Sequence, residues 1–289
     1  MNLLDGEAIA AEVQKELSER VRKLSMNGVV PGLAAVLVGD DPASGLYVGN
    51  KSKAANSIGV YTETHKMGAD TSTNTLLGTI KSLNQNAKIH GIIVQLPLPS
   101  HINSDEVAAA IALEKDVDGA HPTSMGRLAR GEEAFVPPTP LGIVEILERS
   151  NIQYDNGHIV ICGRSNLVGR PLSLLLQRKI TGGNATVTVC HSKTVGLEQY
   201  TTQADVLIAA MGRPNLITKT MVKQDAVIID VGTNRVPDSQ KKQGYRFVGD
   251  VDFDNVRSLA SAITPVPGGV GPMTVTMLLS NTVFAAERS

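Results

Sequence analysis

Ile9, Val13, Leu17, Val21 and Leu24 recur at the three- and four-residue spacing of one helical face, and the run Leu33 to Val38 that follows is apolar throughout. This pair predicts an amphipathic helix and then a strand covered on both faces. The alternation repeats. A helical stretch from about Ser44 to Ile58 precedes a strand near Val60 to Thr64, and a helix carrying Leu76, Leu77, Ile80 and Leu83 precedes a strand from Ile89 to Leu96. Between Lys115 and Pro140 the periodicity lapses, while Gly119, Pro122, Gly126, Gly131, Pro137, Pro138 and Pro140 accumulate, which marks a domain boundary. Thr139 is expected to cap a new helix opened by Pro140, with Ile143, Val144 and Leu147 on its inner face.

Beyond that helix, strands are expected at His158 to Cys162, Ala185 to Cys190, Val206 to Ala209 and Ala226 to Val231, and a final helix from Pro272 to about Ala286. The fold class that follows is α/β with two domains, each a mostly parallel sheet with flanking helices, the second with Rossmann-like spacing. Residues 1–139 with 273–289 are expected to form one domain and residues 140–272 the other, the last helix packing back on the first domain.

Composition narrows the function. The 289 residues are 42% hydrophobic and 19% charged, with a net charge of −1, so nothing draws the whole molecule to nucleic acid or to an anionic membrane surface. Two cysteines, Cys162 and Cys190, are too few for a disulfide framework and lack metal-ligand spacing, so no metal is expected and a reducing compartment fits. The start Met-Asn-Leu-Leu-Asp-Gly-Glu carries acids where a secretory signal needs lysines, and no apolar run reaches the ~18 residues of a membrane span. A cytoplasmic protein is the expectation.

Strand Ile159 to Cys162 runs into Gly163-Arg164-Ser165-Asn-Leu-Val-Gly169-Arg-Pro and then an apolar helical stretch. A strand, a glycine turn and a helix start bring unpaired N–H groups and the positive end of a helix dipole to one place, the outline of a phosphate site. The spacing is G-x-S-x-x-x-G rather than the dinucleotide fingerprint G-x-G-x-x-G, which weakens the motif taken alone and leaves a plain turn as the lesser alternative. The next strand ends in His191-Ser192-Lys193, with no carboxylate to bind a ribose 2′-hydroxyl or repel a 2′-phosphate. With Arg164 nearby, NADP is the better electrostatic fit than NAD.

Tyr47 and Lys51 stand four apart and share a helix face. A partly desolvated lysine loses some preference for its charged form and can move protons near neutral pH, although most such pairs are solvated surface. Gly45 and Gly49 weaken that helix and suggest close packing by a flat ligand or a neighbouring backbone. Short-chain dehydrogenases share the Tyr-x-x-x-Lys spacing, but there it lies downstream of the cofactor loop.

Six motifs in order, Ser44-x-x-Tyr47-x-x-x-Lys51, Val94-Gln95-Leu-Pro-Leu-Pro99, Lys115-Asp-Val-Asp118-Gly119, Gly163-Arg-Ser165, Cys190-His-Ser192 and Pro265-Val-Pro-Gly-Gly-Val-Gly-Pro-Met-Thr274, cover almost the whole chain. The sequence closely resembles the bifunctional methylenetetrahydrofolate dehydrogenase/methenyltetrahydrofolate cyclohydrolase family. The resemblance implies a homodimeric enzyme of one-carbon metabolism that uses NADP on tetrahydrofolate derivatives, in a cleft between a folate domain and a nucleotide domain. It implies Lys51 as the catalytic lysine, Tyr47 stacking near the pterin, Gln95 hydrogen-bonding the lysine and Asp118 anchoring the pterin donors. Gly163, Arg164, Ser165, Ser192 and Thr233 would hold the cofactor, and Pro267, Gly268 and Gly269 would line the substrate. Taken by itself, Asp118 could be only a turn carboxylate, and Gln95 could merely satisfy a backbone group. Two departures stand out: Thr233 replaces the isoleucine usual beside the cofactor, and Thr181-Gly-Gly-Asn184 is a small loop variation. A catalytically silent NADP- or folate-binding module and a related two-domain dehydrogenase acting on shikimate or an amino acid are the alternatives.

Overall fold

The computed structural model describes residues 1–180, 182–241 and 244–289. The chain forms two compact units, the first made of Met1–Ala10 and Thr139–Thr274, the second of Ala11–Pro138 and Val275–Ser289. In chain order the early elements are β1 (Asn2–Leu3), α1 (Gly6–Met26), β2 (Gly32–Val38), α2 (Pro42–Ser57), β3 (Tyr61–Met67), α3 (Thr73–Gln85), β4 (Gly91–Val94), α4 (Ser104–Ala110) and α5 (Pro122–Arg130).

In the second unit β3, β2 and β4 form a three-stranded parallel sheet in that order. The all-apolar run 33–38 takes the central place, and every residue of β2 is buried; the edge strand β3, with polar residues at most positions, alternates between exposed and half-buried. Leu76, Ile80 and Leu83 of α3 lie under this sheet with Ala34, Val36 and Ile92. Asp41 caps α2, its carboxylate accepting from the Ser44 N–H at 2.8 Å and the Ser44 hydroxyl at 2.6 Å.

Helix α5 lies in the stretch expected to be irregular. Its nine residues start at Pro122, are capped by His121 and end at Gly131 in the left-handed region, but bury only Ser124 and Leu128, too few for a visible period.

The remaining elements are α6 (Pro138–Arg149), β5 (His158–Cys162), α7 (Gly169–Leu176), β6 (Thr186–Cys190), α8 (Leu197–Thr201), β7 (Val206–Ala209), β8 (Val227–Asp230), β9 (Asn234–Pro237), β10 (Tyr245–Val248), α9 (Phe253–Val256), β11 (Ala262–Ile263) and α10 (Val270–Glu287). The first unit holds a six-stranded parallel sheet in the order β1-β11-β8-β7-β5-β6, beside the antiparallel pair β9 and β10.

Three expectations change. Residues 1–10 group with the nucleotide-type unit, because β1 pairs with β11, Asn2 opposite Ala262. Helix α6 starts at Pro138, so Thr139 is inside the first turn rather than its cap, and its hydroxyl lies 3.0 Å from that of Thr274. Both prolines fit there, since the first N–H groups of a helix have no intrahelical partner to lose. Ile146, rather than Val144, joins Ile143 and Leu147 in the core. Of the loop variation 181–184, Thr181 lies outside the described residues, while the Gly182 carbonyl accepts from the Tyr154 hydroxyl at 3.0 Å.

Candidate active site and nucleotide loop

In the second unit three polar side chains converge at the carboxyl end of the parallel strands. Gln95 follows β4, its N–H donating to Val36 O at 2.9 Å and so extending the ladder by one residue. Its side-chain amide donates to Leu96 O at 2.7 Å, which turns the Oε1 atom towards α2, and there Lys51 Nζ donates to it at 3.2 Å. Asp118, on the turn after β4 and α4, completes the cluster: burial pushes its carboxyl up by more than the nearby Lys51 ammonium pulls it down. A mutually oriented amine, amide and carboxylate can hold a heterocycle and move a proton at it.

Tyr47 stands one turn before Lys51 with 49% of its surface exposed. Close packing by a neighbouring backbone does not explain Gly45 and Gly49, since a Cβ on either would meet nothing within 4 Å. The space beside the two glycines, on the side of α2 away from Tyr47 and Lys51, is open.

The first unit carries the glycine loop. Gly163 leaves β5 with its N–H donating to Cys190 O at 2.9 Å and φ +145°, and a Cβ on it would stand 2.3 Å from Ala210 O. Gly169 opens α7 so near that its Cβ would come within 2.0 Å of Gly163 O. The two glycines therefore let the start of α7 sit directly on the strand end, a cradle that side chains would fill. Arg164 and Ser165 are exposed in it, and Ser165 Oγ accepts from the Val168 N–H at 3.2 Å. Ser192 and Lys193 lie exposed beyond β6, where the His191 N–H is satisfied by Thr194 Oγ1 at 2.9 Å and no acid intervenes. These residues fit a 2′-phosphorylated dinucleotide: glycines for the backbone approach, a guanidinium, an ammonium and hydroxyls for phosphate.

Thr233 is exposed just past Gly232, on a loop that two buried carboxylates hold. Asp250 Oδ2 accepts from the Met211 and Gly212 N–H groups at 2.6 and 2.8 Å, and Oδ1 from the Arg213 N–H and the Asn234 amide at 2.9 and 2.8 Å. Asp230 accepts from the N–H groups of Gly232, Asp250 and Val251, each at 2.9 Å. Burial pushes the Asp230 carboxyl up to about 6, against the pull of those three donors. Sequence reasoning missed both aspartates, which look like ordinary turn acids at strand ends.

Pro267, Gly268 and Gly269 belong to this first unit, whereas Lys51, Gln95 and Asp118 belong to the second. The Gly268 carbonyl accepts from the Glu7 N–H at 3.1 Å, and a Cβ on Gly6 would lie 1.8 Å from Gly269 O, so this loop is seated on the start of α1.

A parallel sheet opening into a nucleotide loop, joined in one chain to an α/β unit bearing a lysine, an amide and a carboxylate, defines the class of two-unit dinucleotide-using proteins. Two family models match the sequence: tetrahydrofolate dehydrogenase/cyclohydrolase, catalytic domain, over residues 4–118, and the NAD(P)-binding domain of the same family over residues 137–289. The chain belongs to the tetrahydrofolate dehydrogenase/cyclohydrolase family. It is 52% identical to the bifunctional protein FolD of Moorella thermoacetica, with 99% of each chain covered. Among solved structures it is similar to the bifunctional FolD of Campylobacter jejuni, with a TM-score of 0.94 and 45% identity over 100% of this chain and 99% of that one. The Trypanosoma brucei FolD, solved with NADP cofactor and inhibitor, matches with a TM-score of 0.93 and 38% identity over 99% and 97% of the two chains.

Proposed function

We propose that this protein oxidises 5,10-methylenetetrahydrofolate to the 5,10-methenyl cation with NADP and hydrolyses that cation to 10-formyltetrahydrofolate, with Lys51 moving the proton. The observation that carries the reading is the approach of Lys51 Nζ to Gln95 Oε1 at 3.2 Å, with Asp118 near enough for its carboxyl to respond to the lysine charge. Membership of the family supports both activities.

In the hydrolytic step water oxygen bonds to the electrophilic methenyl carbon. One water proton passes to the Lys51 amine, and the other ends on N5 of the folate as the carbon–N5 bond breaks. Gln95 Oε1 orients the lysine, and Asp118 accepts from the N–H and amino donors of the pterin. The half-exposed Tyr47 ring offers a face for stacking. Gly163, Arg164, Ser165, Ser192 and Thr233 hold the dinucleotide, and Pro267, Gly268 and Gly269 contact substrate. NADP, when bound, supplies the acceptor for the hydride that the methylene carbon loses.

The same reading makes the protein a cytoplasmic homodimer. Both cysteines are free and buried, which suits a reducing compartment, and among the described residues no helix is long and apolar enough to cross a membrane. The family resemblance supports the dimer, and sedimentation equilibrium measures it.

The decisive assay mixes purified protein with methylenetetrahydrofolate and NADP and follows NADPH and methenyl absorbance together. NADPH formation followed by decay of the methenyl band is expected. Tight binding of both ligands with no NADPH would make the protein a silent binding module instead.

A further inference from the structure

The turn that carries Asp118 is fixed from two sides, both within the second unit. Two residues upstream, Asp116 is wholly buried. Its Oδ1 accepts from the Ala120 N–H at 2.9 Å, and its Oδ2 accepts from the His121 N–H at 3.0 Å and the Ser124 hydroxyl at 2.6 Å. One carboxylate is thereby tied to donors four, five and eight residues along, and residues 117–119 are enclosed by those ties. The Gly119 N–H donates back to Asp116 O at 2.9 Å, with Gly119 at φ +60° and no room for a side chain against Pro137.

From the other side, the Asn281 amide on α10 donates to Val117 O at 2.7 Å and to Val136 O at 3.0 Å. Val117 itself is buried against Gly91 at the start of β4, where an added Cβ would come within 2.7 Å of its Cγ1. Asp118 is therefore the one residue of 117–119 that is only partly buried, between two buried and hydrogen-bonded neighbours.

Burying a carboxylate is costly, and a turn can be closed by a neutral serine or asparagine. What the charge adds is stiffness, because hydrogen bonds to an ionised acceptor are about twice as strong as neutral ones. We propose that Asp116 is a positioning residue for Asp118: its buried carboxylate, opposed by Asn281, holds the Asp118 carboxyl within reach of Lys51. The inference rests on the reading of Asp118 as the pterin anchor. Since that anchor grips the heterocycle away from the reacting carbon, loosening it weakens folate binding in both activities more than it slows either chemical step.

The test is a double-mutant cycle of wild type, Asp116→Asn, Asp118→Ala and the pair. Asp116→Asn is expected to raise KM for methylenetetrahydrofolate about tenfold, with kcat changed less than about threefold and KM for NADP unchanged. In the Asp118→Ala background the same substitution is expected to add nothing, because it acts through the missing side chain. Multiplying effects, or a raised KM for NADP, would overturn the positioning role and leave a general structural one. An Asp118→Ala variant with unaltered folate KM would instead sink the assignment of Asp118 itself. If Asp116→Asn does not fold, Ser124→Ala, which withdraws one of the three donors, goes through the same cycle: a raised folate KM that vanishes in the Asp118→Ala background supports the positioning role, and multiplying effects overturn it.

Discussion

Lys51 donates to Gln95 Oε1 at 3.2 Å, and the Gln95 amide is itself locked by its 2.7 Å bond to Leu96 O. The amide therefore cannot flip without losing both contacts, and the atom that accepts from the lysine is a neutral oxygen, with the Asp118 carboxylate close enough to feel its charge. Together the two bonds fix where the lysine head sits relative to the end of β4.

Replacing Lys51 with methionine keeps the length of the side chain and removes the amine. Hydrolysis of the methenyl compound is expected to fall by about 10²–10⁴-fold, while NADP affinity stays within about twofold. Decay of methenyl absorbance and a fluorescence titration with NADPH measure the two. Hydrolysis at the wild-type rate would remove Lys51 from the mechanism.

Gln95→Glu puts a carboxylate where the lysine now meets an amide. An adjacent negative charge favours the ammonium form, so the pH profile of hydrolysis is expected to move up by about one unit or more, with a fall at pH 7. The new acid also faces Leu96 O without a hydrogen to donate. A profile that stays in place would mean that the lysine is not the titrating base.

Gly169→Ala tests the cradle. Its Cβ would meet the backbone of Gly163 at 2.0 Å, and neither partner is a flexible side chain. Stability is expected to fall by more than ~2 kcal/mol in urea denaturation, and NADP binding to weaken with it. Methenyl hydrolysis in whatever fraction remains folded is expected to persist.

Ser192→Asp restores the acid that a dinucleotide site selective for NAD carries at the end of its second strand. Roughly a tenfold or greater loss of NADP affinity is expected, with NAD binding unchanged or improved. Equal losses for both cofactors would show that Ser192 does not face the 2′-phosphate.

Asp230 gives a stability signature in pH. Its carboxyl, raised to about 6 by burial, holds its proton in the native state to a higher pH than in the unfolded chain. Native stability from this group is therefore fully present below pH ~4 and is lost as pH rises through about 6. Between pH 4 and 6.5 the stability of wild type relative to Asp230→Asn is expected to decline by on the order of 2 kcal/mol. Denaturation midpoints that keep a constant gap would contradict the shift.

How much of this was legible in the sequence varies with length scale. The core faces of α1 and α3 and the buried run of β2 showed in the periodicity, since each has enough residues to display it. Helix α5 did not, because it buries two positions in nine, and the β9–β10 pair was missed because β9 alternates half-buried and exposed and β10 buries Val248 alone. Gln95 and Lys51 are 44 positions apart, and only the closing of β4 beside β2 brings them together. Motifs supplied the residues, while their convergence is a product of the sheet. The part played by Asp116 was unreadable for a simpler reason: in Asp-Val-Asp-Gly the resemblance singles out Asp118, and it is burial that shows Asp116 to be the acid that closes the turn.

The pairing of Asn2 with Ala262 and Leu3 with Ile263 sets a timetable for biogenesis. On the ribosome, β1 emerges long before β11, its strand neighbour among the described residues, and waits while the intervening chain is made. A nascent chain lacking residues 262–263 would leave β1 without its ladder, so this edge strand of the six-stranded sheet can dock only after those residues have been made.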